Sequence, residues 1–234
     1  MTGYSERKAQ LDQCSLRKDP VLVCDPRRQT NADLIWDATR LGWIGERVFD
    51  ATYGEGVFWR RFTPPELVTN DLHKPAMLQL DYLVPMVAPI EGPYLTVVFD
   101  PPYMLNGKPT LYGDRYGTNA RMPVAQRLAE IEQGTLNCAK LVAPDGTLLV
   151  KCMDQVSLFH VHRQTDLVIR ALETLPGWEW IGMLELVEPQ PRPQVKQVTP
   201  RFNRSTLLAF HRAPARKPRQ PVAKARKTLE LGVA

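Results

Sequence analysis

The apolar run Tyr94-Leu-Thr-Val-Val-Phe99 ends in Asp100-Pro101-Pro102-Tyr103, and this junction limits what the chain can become. The run is β-branched, aromatic and uncharged, the pattern of a buried strand. Two consecutive prolines fix φ and remove two backbone donors, so the exit from the strand is extended and rigid. Their carbonyls and the Asp100 carboxylate stay available as acceptors, and Tyr103 adds a flat stacking surface. Acceptors beside an aromatic plate suit a planar base that carries an exocyclic amino group. Taken alone, the tetrad also reads as a tight turn capping a strand.

An upstream element, Arg47-Val-Phe-Asp50-Ala-Thr-Tyr-Gly54-Glu-Gly56, shifts that balance. It reads as a short strand opening into a turn. Two glycines one residue apart let a backbone take positive φ and approach a ligand closely. In an open α/β sheet, ligands bind beyond the carboxyl ends of the strands, beside such a loop. The segment lacks the Gly-Lys-Ser/Thr of a triphosphate cradle and the third glycine of a dinucleotide fingerprint.

The rest of the chain alternates. Thr30-Asn31-Ala-Asp33 is a helix start, and the helix runs to Leu41. Short strands are expected at 46–49 and 67–70, with Asp71 at the end of the second. The spacing of Val124, Leu128, Ile131 and Leu136 predicts an amphipathic helix from Pro123 to Leu141. Asp145-Gly146 turns into a strand at 147–151, residues 163–175 form another helix, and strands at 178–186 and 205–211 complete the pattern. Strands alternating with helices predict a doubly wound α/β fold with a parallel sheet. Residues 1–20 are polar and expected to be loose, and residues 21–24 read as a short strand. Residues 104–122, rich in Gly, Asn, Tyr and basic groups, have no periodicity. They read as a substrate-side loop, with a disordered lid as the alternative.

In order and spacing the two motifs resemble the class I S-adenosylmethionine-dependent methyltransferases, and among them the DNA amino-methyltransferases. Weaker matches at 141–152 and 203–210 extend the resemblance over roughly residues 31–212. The resemblance implies a doubly wound, mostly parallel seven-stranded sheet with a C-terminal antiparallel hairpin. It also implies S-adenosylmethionine as cofactor, held by Asp50, Thr52, Gly54 and Gly56, with Asp71 at the ribose and Asp81 near the adenine ring. Asp100, Pro101, Pro102 and Tyr103 would form the catalytic loop. The Asp form of the tetrad is similar to adenine-modifying members more than to cytosine-modifying ones. A methyl group already activated on a sulfonium requires neither a metal nor a covalent nucleophile. His160 and His162 have no third ligand at suitable spacing, so no metal site is expected. Ser157 and Ser205 lack a nucleophile elbow.

Composition sets the frame. The 234 residues, 44% of them hydrophobic, are enough for one domain with a sizeable core. That domain is placed at 31–212, between an N-terminal extension at 1–30 and a tail at 213–234. Neither a membrane-length apolar run nor an apolar N-terminal signal region is present, and the four cysteines have no Cys-x-x-Cys spacing. A cytoplasmic protein with reduced thiols and no membrane partner is expected. The net charge of +5 gathers in residues 212–227, which carry seven basic residues and no acid. This reads as a disordered basic tail suited to phosphates. Lys108, Arg115 and Arg121 are available for phosphates, and Tyr112 and Tyr116 for bases. DNA is the expected partner. The alternatives are RNA, a protein glutamine, or a nucleic-acid-binding relative that has lost transfer. No target-recognition domain fits between the two motifs, which leaves the 104–122 loop, the 189–204 link and the basic tail as candidates for that role; a separate specificity partner or a short, relaxed site would also fit.

Overall fold

A computed structural model describes residues 3–15, 28, 30–85, 92–105, 122–157, 159–187 and 202–214. The alternation expected from the sequence is present. Helix α1 (Tyr4–Ser15) and helix α2 (Asn31–Arg40) precede the first parallel strands, β1 (Arg47–Asp50), β2 (Glu66–Thr69) and β3 (Tyr94–Phe99). Helix α3 (Val124–Leu141) leads into β4 (Val142–Cys152). A small hairpin follows, made of β5 (Gln155–Ser157) and β6 (His160–His162). Helix α4 (Gln164–Glu173) and the long strands β7 (Trp178–Val187) and β8 (Arg204–Arg212) complete the order.

The main sheet runs β2-β1-β3-β4-β8-β7. The first four strands are parallel, with Val48 opposite both Leu67 and Thr96, and Phe99 opposite Val150. β8 returns antiparallel to β4 and β7 antiparallel to β8, which is the expected C-terminal hairpin. Six strands of this sheet lie among the described residues, where seven were expected for the whole sheet. The β5–β6 pair forms a separate two-stranded sheet.

Side-chain alternation divides the core in two. Phe49, Val97, Phe99, Leu148 and Val150 pack with Ile131, Val168 and Leu172 of α3 and α4. Val48, Val98 and Leu149 face Leu34 and Ile35 of α2, together with Phe58 and Trp59. Helices therefore cover both faces of the parallel strands, which explains why β3 is buried at all six positions. Thr30 starts α2 with a reciprocal capping box to Asp33, as its sequence signature requires. Cys138 and Cys152 are free thiols buried in the core.

The loose N-terminus expected from polarity is corrected as well, because Tyr4–Ser15 is helical. The Ser5 hydroxyl donates to Asp145 Oδ1 at 2.7 Å, and the Tyr4 ring lies 4.6 Å from that of His211. The expected strand at 21–24 lies outside the described residues. No helix among the described residues is long and apolar enough to cross a membrane.

Candidate active site

The two motifs leave the sheet side by side. From β1 the chain runs outward to β2, then crosses back to β3 on the other flank of β1. The carboxyl ends of β1 and β3 thus form the switch point where an open α/β sheet leaves a crevice. Asp50 ends β1, and Asp100 follows the last residue of β3. Backbone pairing continues into the first loop, where Ala51 N donates to the Val98 carbonyl at 2.9 Å and Asn70 N to the Asp50 carbonyl at 2.8 Å. Thr52 then joins the two loops, its hydroxyl oxygen accepting from Asp100 N at 2.7 Å.

The strand period puts Asp50 on the same sheet face as Val48, and Lys151 on the same face as Leu149. Asp50 is 2% exposed. The Trp59 indole donates to its Oδ2 at 2.6 Å and Thr52 N to its Oδ1 at 3.0 Å. Burial pushes the Asp50 carboxyl up to about 7 despite these bonds, and the charge on Asp100 adds to the rise. Both Asp50 oxygens are thus engaged within the protein, by Trp59 and Thr52. Its carboxylate is closed off inside the loop, where it braces Trp59 beneath the crevice.

The glycines behave as expected. Gly54 and Gly56 take φ of 59° and 66°, a left-handed conformation that L side chains rarely adopt. Gly54 N donates to Asp71 Oδ2 at 2.9 Å, while Asp71 Oδ1 accepts from His73 N and Lys74 N at 2.8 and 2.7 Å. Asp71 is thus fixed just beyond β2, and Oδ2 keeps acceptor capacity for a hydroxyl. Asn70, which no motif singles out, is fully buried. Its amide donates to the carbonyls of Ala51 and Leu80, both at 3.0 Å, and accepts from Leu80 N at 2.8 Å. That latch draws Leu80, and Asp81 after it, toward the glycine loop. Asp81 caps its own turn by accepting from Leu83 N at 2.9 Å.

In the tetrad, Pro101 is buried, while Pro102 and Tyr103 are half-buried. The Asp100 side chain is 24% exposed, yet its Oδ1 is buried and accepts no hydrogen bond among the described residues. Lys151, itself 2% exposed, places Nζ 3.7 Å from that oxygen and donates to the Tyr103 hydroxyl at 3.0 Å. Burial holds the Asp100 carboxyl above the usual carboxylate range, and Lys151 partly reverses the shift. Two buried glutamines hold the far end of the loop. Gln155 and Gln164 both donate to the Tyr103 carbonyl, at 2.6 and 2.7 Å, and Gln155 also accepts from Leu105 N at 3.1 Å. Of these supports only Lys151 left a trace in the sequence, as a lysine within an apolar strand, a place where lysine is rarely found unless paired.

Lys108, Arg115, Tyr116 and Arg121, with Tyr112, lie outside the described residues, as does the basic tail beyond residue 214. His160 and His162 stand on β6, the first exposed and the second half-buried.

Comparison with known proteins bears on the scaffold. No protein-family model matches the chain. No curated protein sequence matches it either. Among solved structures, the N-methyltransferase NodS from Bradyrhizobium japonicum WM9, in complex with S-adenosyl-L-homocysteine, is similar over 88% of this chain and 98% of its own, with 11% identity and a TM-score of 0.50. TrmN from Thermus thermophilus is similar over 88% of this chain and 53% of its own, with 12% identity and a TM-score of 0.49. Strand order, strand direction and the likeness to NodS together show that the chain has the class I, Rossmann-like α/β fold of S-adenosylmethionine-dependent methyltransferases.

Proposed function

We propose that this protein transfers a methyl group from S-adenosylmethionine to the exocyclic amino group of adenine in DNA. One observation carries the reading: Asp100-Pro101-Pro102-Tyr103 emerges at the switch point, hydrogen-bonded through Thr52 to a loop with two left-handed glycines. The donor set suits the cofactor. Glycine backbone allows close approach, and Asp71 offers a carboxylate oxygen to a ribose hydroxyl. Bound there, S-adenosylmethionine supplies a methyl group already activated on a sulfonium. NodS, of the same fold, was crystallised with S-adenosyl-L-homocysteine.

The chain's own residues act on the amine. An aromatic amine is a poor nucleophile because its lone pair is delocalised into the ring. Asp100 and the Pro101 carbonyl accept its two hydrogens, which favours a pyramidal nitrogen and offsets the positive charge that grows during transfer. Tyr103 stacks on the extruded base and holds the nitrogen in line for attack. Its hydroxyl, tied to Lys151, fixes the ring. The Asp form of the tetrad supports adenine, and the basic tail supports a phosphate polymer.

The test is transfer of tritiated methyl to duplex DNA, single-stranded DNA, RNA and protein, with Asp100→Ala as control. Methyladenine recovered from DNA, and absent in the control, is the expected result. Label in RNA or protein would move the substrate class and keep the chemistry. Failure of the wild-type chain to bind cofactor would sink the enzyme reading.

A further inference from the structure

Lys151 is an expensive residue to keep where it is. It projects from the interior of β4, paired across the sheet with Leu207, and is 2% exposed. A buried ammonium costs several kcal/mol unless charge and hydrogen bonds compensate it, and an apolar side chain of similar length would fill the space without that cost. Its neighbours show what it does there. Nζ lies 3.0 Å from the Tyr103 hydroxyl, 4.9 Å from the centre of the Tyr103 ring and 3.7 Å from Asp100 Oδ1. On its other side Nζ stands 5.9 Å from the Phe58 ring. One cation thus touches the first and last members of the tetrad.

We infer that Lys151 is a positioning residue of this site: its ammonium is the fixed counter-charge that holds the Asp100 carboxylate and the Tyr103 hydroxyl in the arrangement the substrate amine meets. The inference rests on reading the tetrad as an amine-binding loop. Its logic is electrostatic. A neutral carboxylic acid donates through its hydroxyl and has less capacity to accept from an amine. Among the described residues, the titratable groups that interact with Asp100 are Lys151 and the Cys152 thiol from β4 and Asp50 from β1, and Tyr103 shares the same lysine. Lys151 alone among them carries positive charge. It acts on Oδ1, which is buried, and the exposed part of the side chain lies away from that oxygen. Lys151 thereby favours the ionised carboxylate from behind, against the effect of burial, while the open side is left to the substrate amine.

Lys151→Gln and Lys151→Arg test this. The first removes the charge and the second restores it. In single-turnover transfer, Lys151→Gln should lower the rate at neutral pH roughly tenfold or more and move the acid limb of the pH–rate profile upward by about a unit, consistent with loss of a charge a few ångströms away. Cofactor affinity should change less than about threefold, and Lys151→Arg should bring the limb back toward the wild-type position. A readout independent of transfer comes from melting temperatures of Lys151→Gln, Asp100→Asn and the double variant. The loss caused by Lys151→Gln should shrink when Asp100 is already replaced. An unshifted acid limb, or additive melting losses, would overturn the role of Lys151. Should the wild-type chain methylate nothing, the melting cycle still decides the Lys151–Asp100 coupling, and the amine-binding reading fails separately.

Discussion

The backbone amide of Asp100 donates to the hydroxyl oxygen of Thr52 at 2.7 Å, so the turn after β3 hangs on the loop after β1. This bond makes one site of two motifs that lie far apart in sequence. Thr52 belongs to the loop expected to hold the cofactor, and its side chain serves the loop expected to hold the amine. Movement of the glycine loop at Thr52 is therefore passed directly to Asp100.

Thr52→Val keeps the shape of the side chain and removes that acceptor. The unpaired Asp100 amide should cost about 1–3 kcal/mol of stability. Transfer should fall while cofactor affinity, measured by calorimetric titration, stays within a few-fold. Thr52→Ser, which keeps the oxygen, should recover most of the rate. Equal loss in both variants would mean that the methyl packing of Thr52 matters and the hydrogen bond does not.

Asp50 predicts a pH dependence of stability. Its folded-state carboxyl titrates at about 7 because it is buried, against an ordinary value of 3.8. Between these values the folded chain binds more protons than the unfolded chain, so stability from this group falls as pH rises and is lowest above 7. Each pH unit of the window is worth about 1.4 kcal/mol at most, so the whole effect is on the order of a few kcal/mol. Asp50→Asn should flatten that part of the curve. It should also cost a hydrogen bond, since the NH₂ that replaces one carboxylate oxygen cannot accept from Trp59 or Thr52, and this loss shows most clearly at the acid end, where the wild-type carboxyl is uncharged. Urea unfolding at several pH values between 4 and 8 measures both effects. A wild-type slope that persists in Asp50→Asn would assign the titration to another group.

Much of this was legible in the chain, and the reasons for the rest are physical. The run Tyr94–Phe99 reads as a buried strand because it is β-branched, aromatic and uncharged, and it is buried at all six positions. The glycine pair and the double proline announced themselves because both restrict the backbone directly. Gln155 and Gln164 gave no signal, since a glutamine is ordinary in loops and at helix starts. Only the fold shows that their amides converge on one carbonyl. Asn70 was hidden for the same reason. Helix α1 has no apolar stripe to betray it. It is held to the domain by polar contacts from Ser5 to Asp145 and from Arg7 to the Gly42 carbonyl. Asp50 ends β1 where the motif put it, but its bond to Trp59 was hidden, because sequence spacing does not reveal that Trp59 folds back onto it.

The glutamine pair should be measurable as a unit. Gln164 is fully buried, and it both donates to the Tyr103 carbonyl and accepts from Met153 N at 3.3 Å. Gln164→Leu removes both bonds and leaves Gln155 to hold the loop. Transfer should drop more than cofactor affinity, because the bonds secure Tyr103 and leave the glycine loop untouched. Adding Gln155→Leu should cost more than the sum of the singles, since the second loss removes the remaining glutamine bond to the carbonyl. Single-turnover rates of the four proteins read this out. Additive effects would show that the two amides act separately.

Gly56 separates backbone strain from steric contact in the cofactor loop. It sits at φ 66° just before the 3-10 turn Val57–Arg60, which carries Phe58 and Trp59 into the core. A Cβ at this position would lie 2.5 Å from the Tyr53 hydroxyl. Gly56→Ala therefore meets two penalties, the left-handed conformation at about 1–2 kcal/mol and the clash with Tyr53. Cofactor affinity should fall by an order of magnitude or more, a loss of about 1.4 kcal/mol, while far-ultraviolet circular dichroism still reports a folded chain. In a Tyr53→Ala background the clash is gone and the strain remains, so Gly56→Ala should then cost only the backbone part. Titration of all four proteins with S-adenosyl-L-homocysteine makes the comparison. If Gly56→Ala folds and binds as tightly as wild type, the loop is a structural turn, and the cofactor must be sought elsewhere in the crevice.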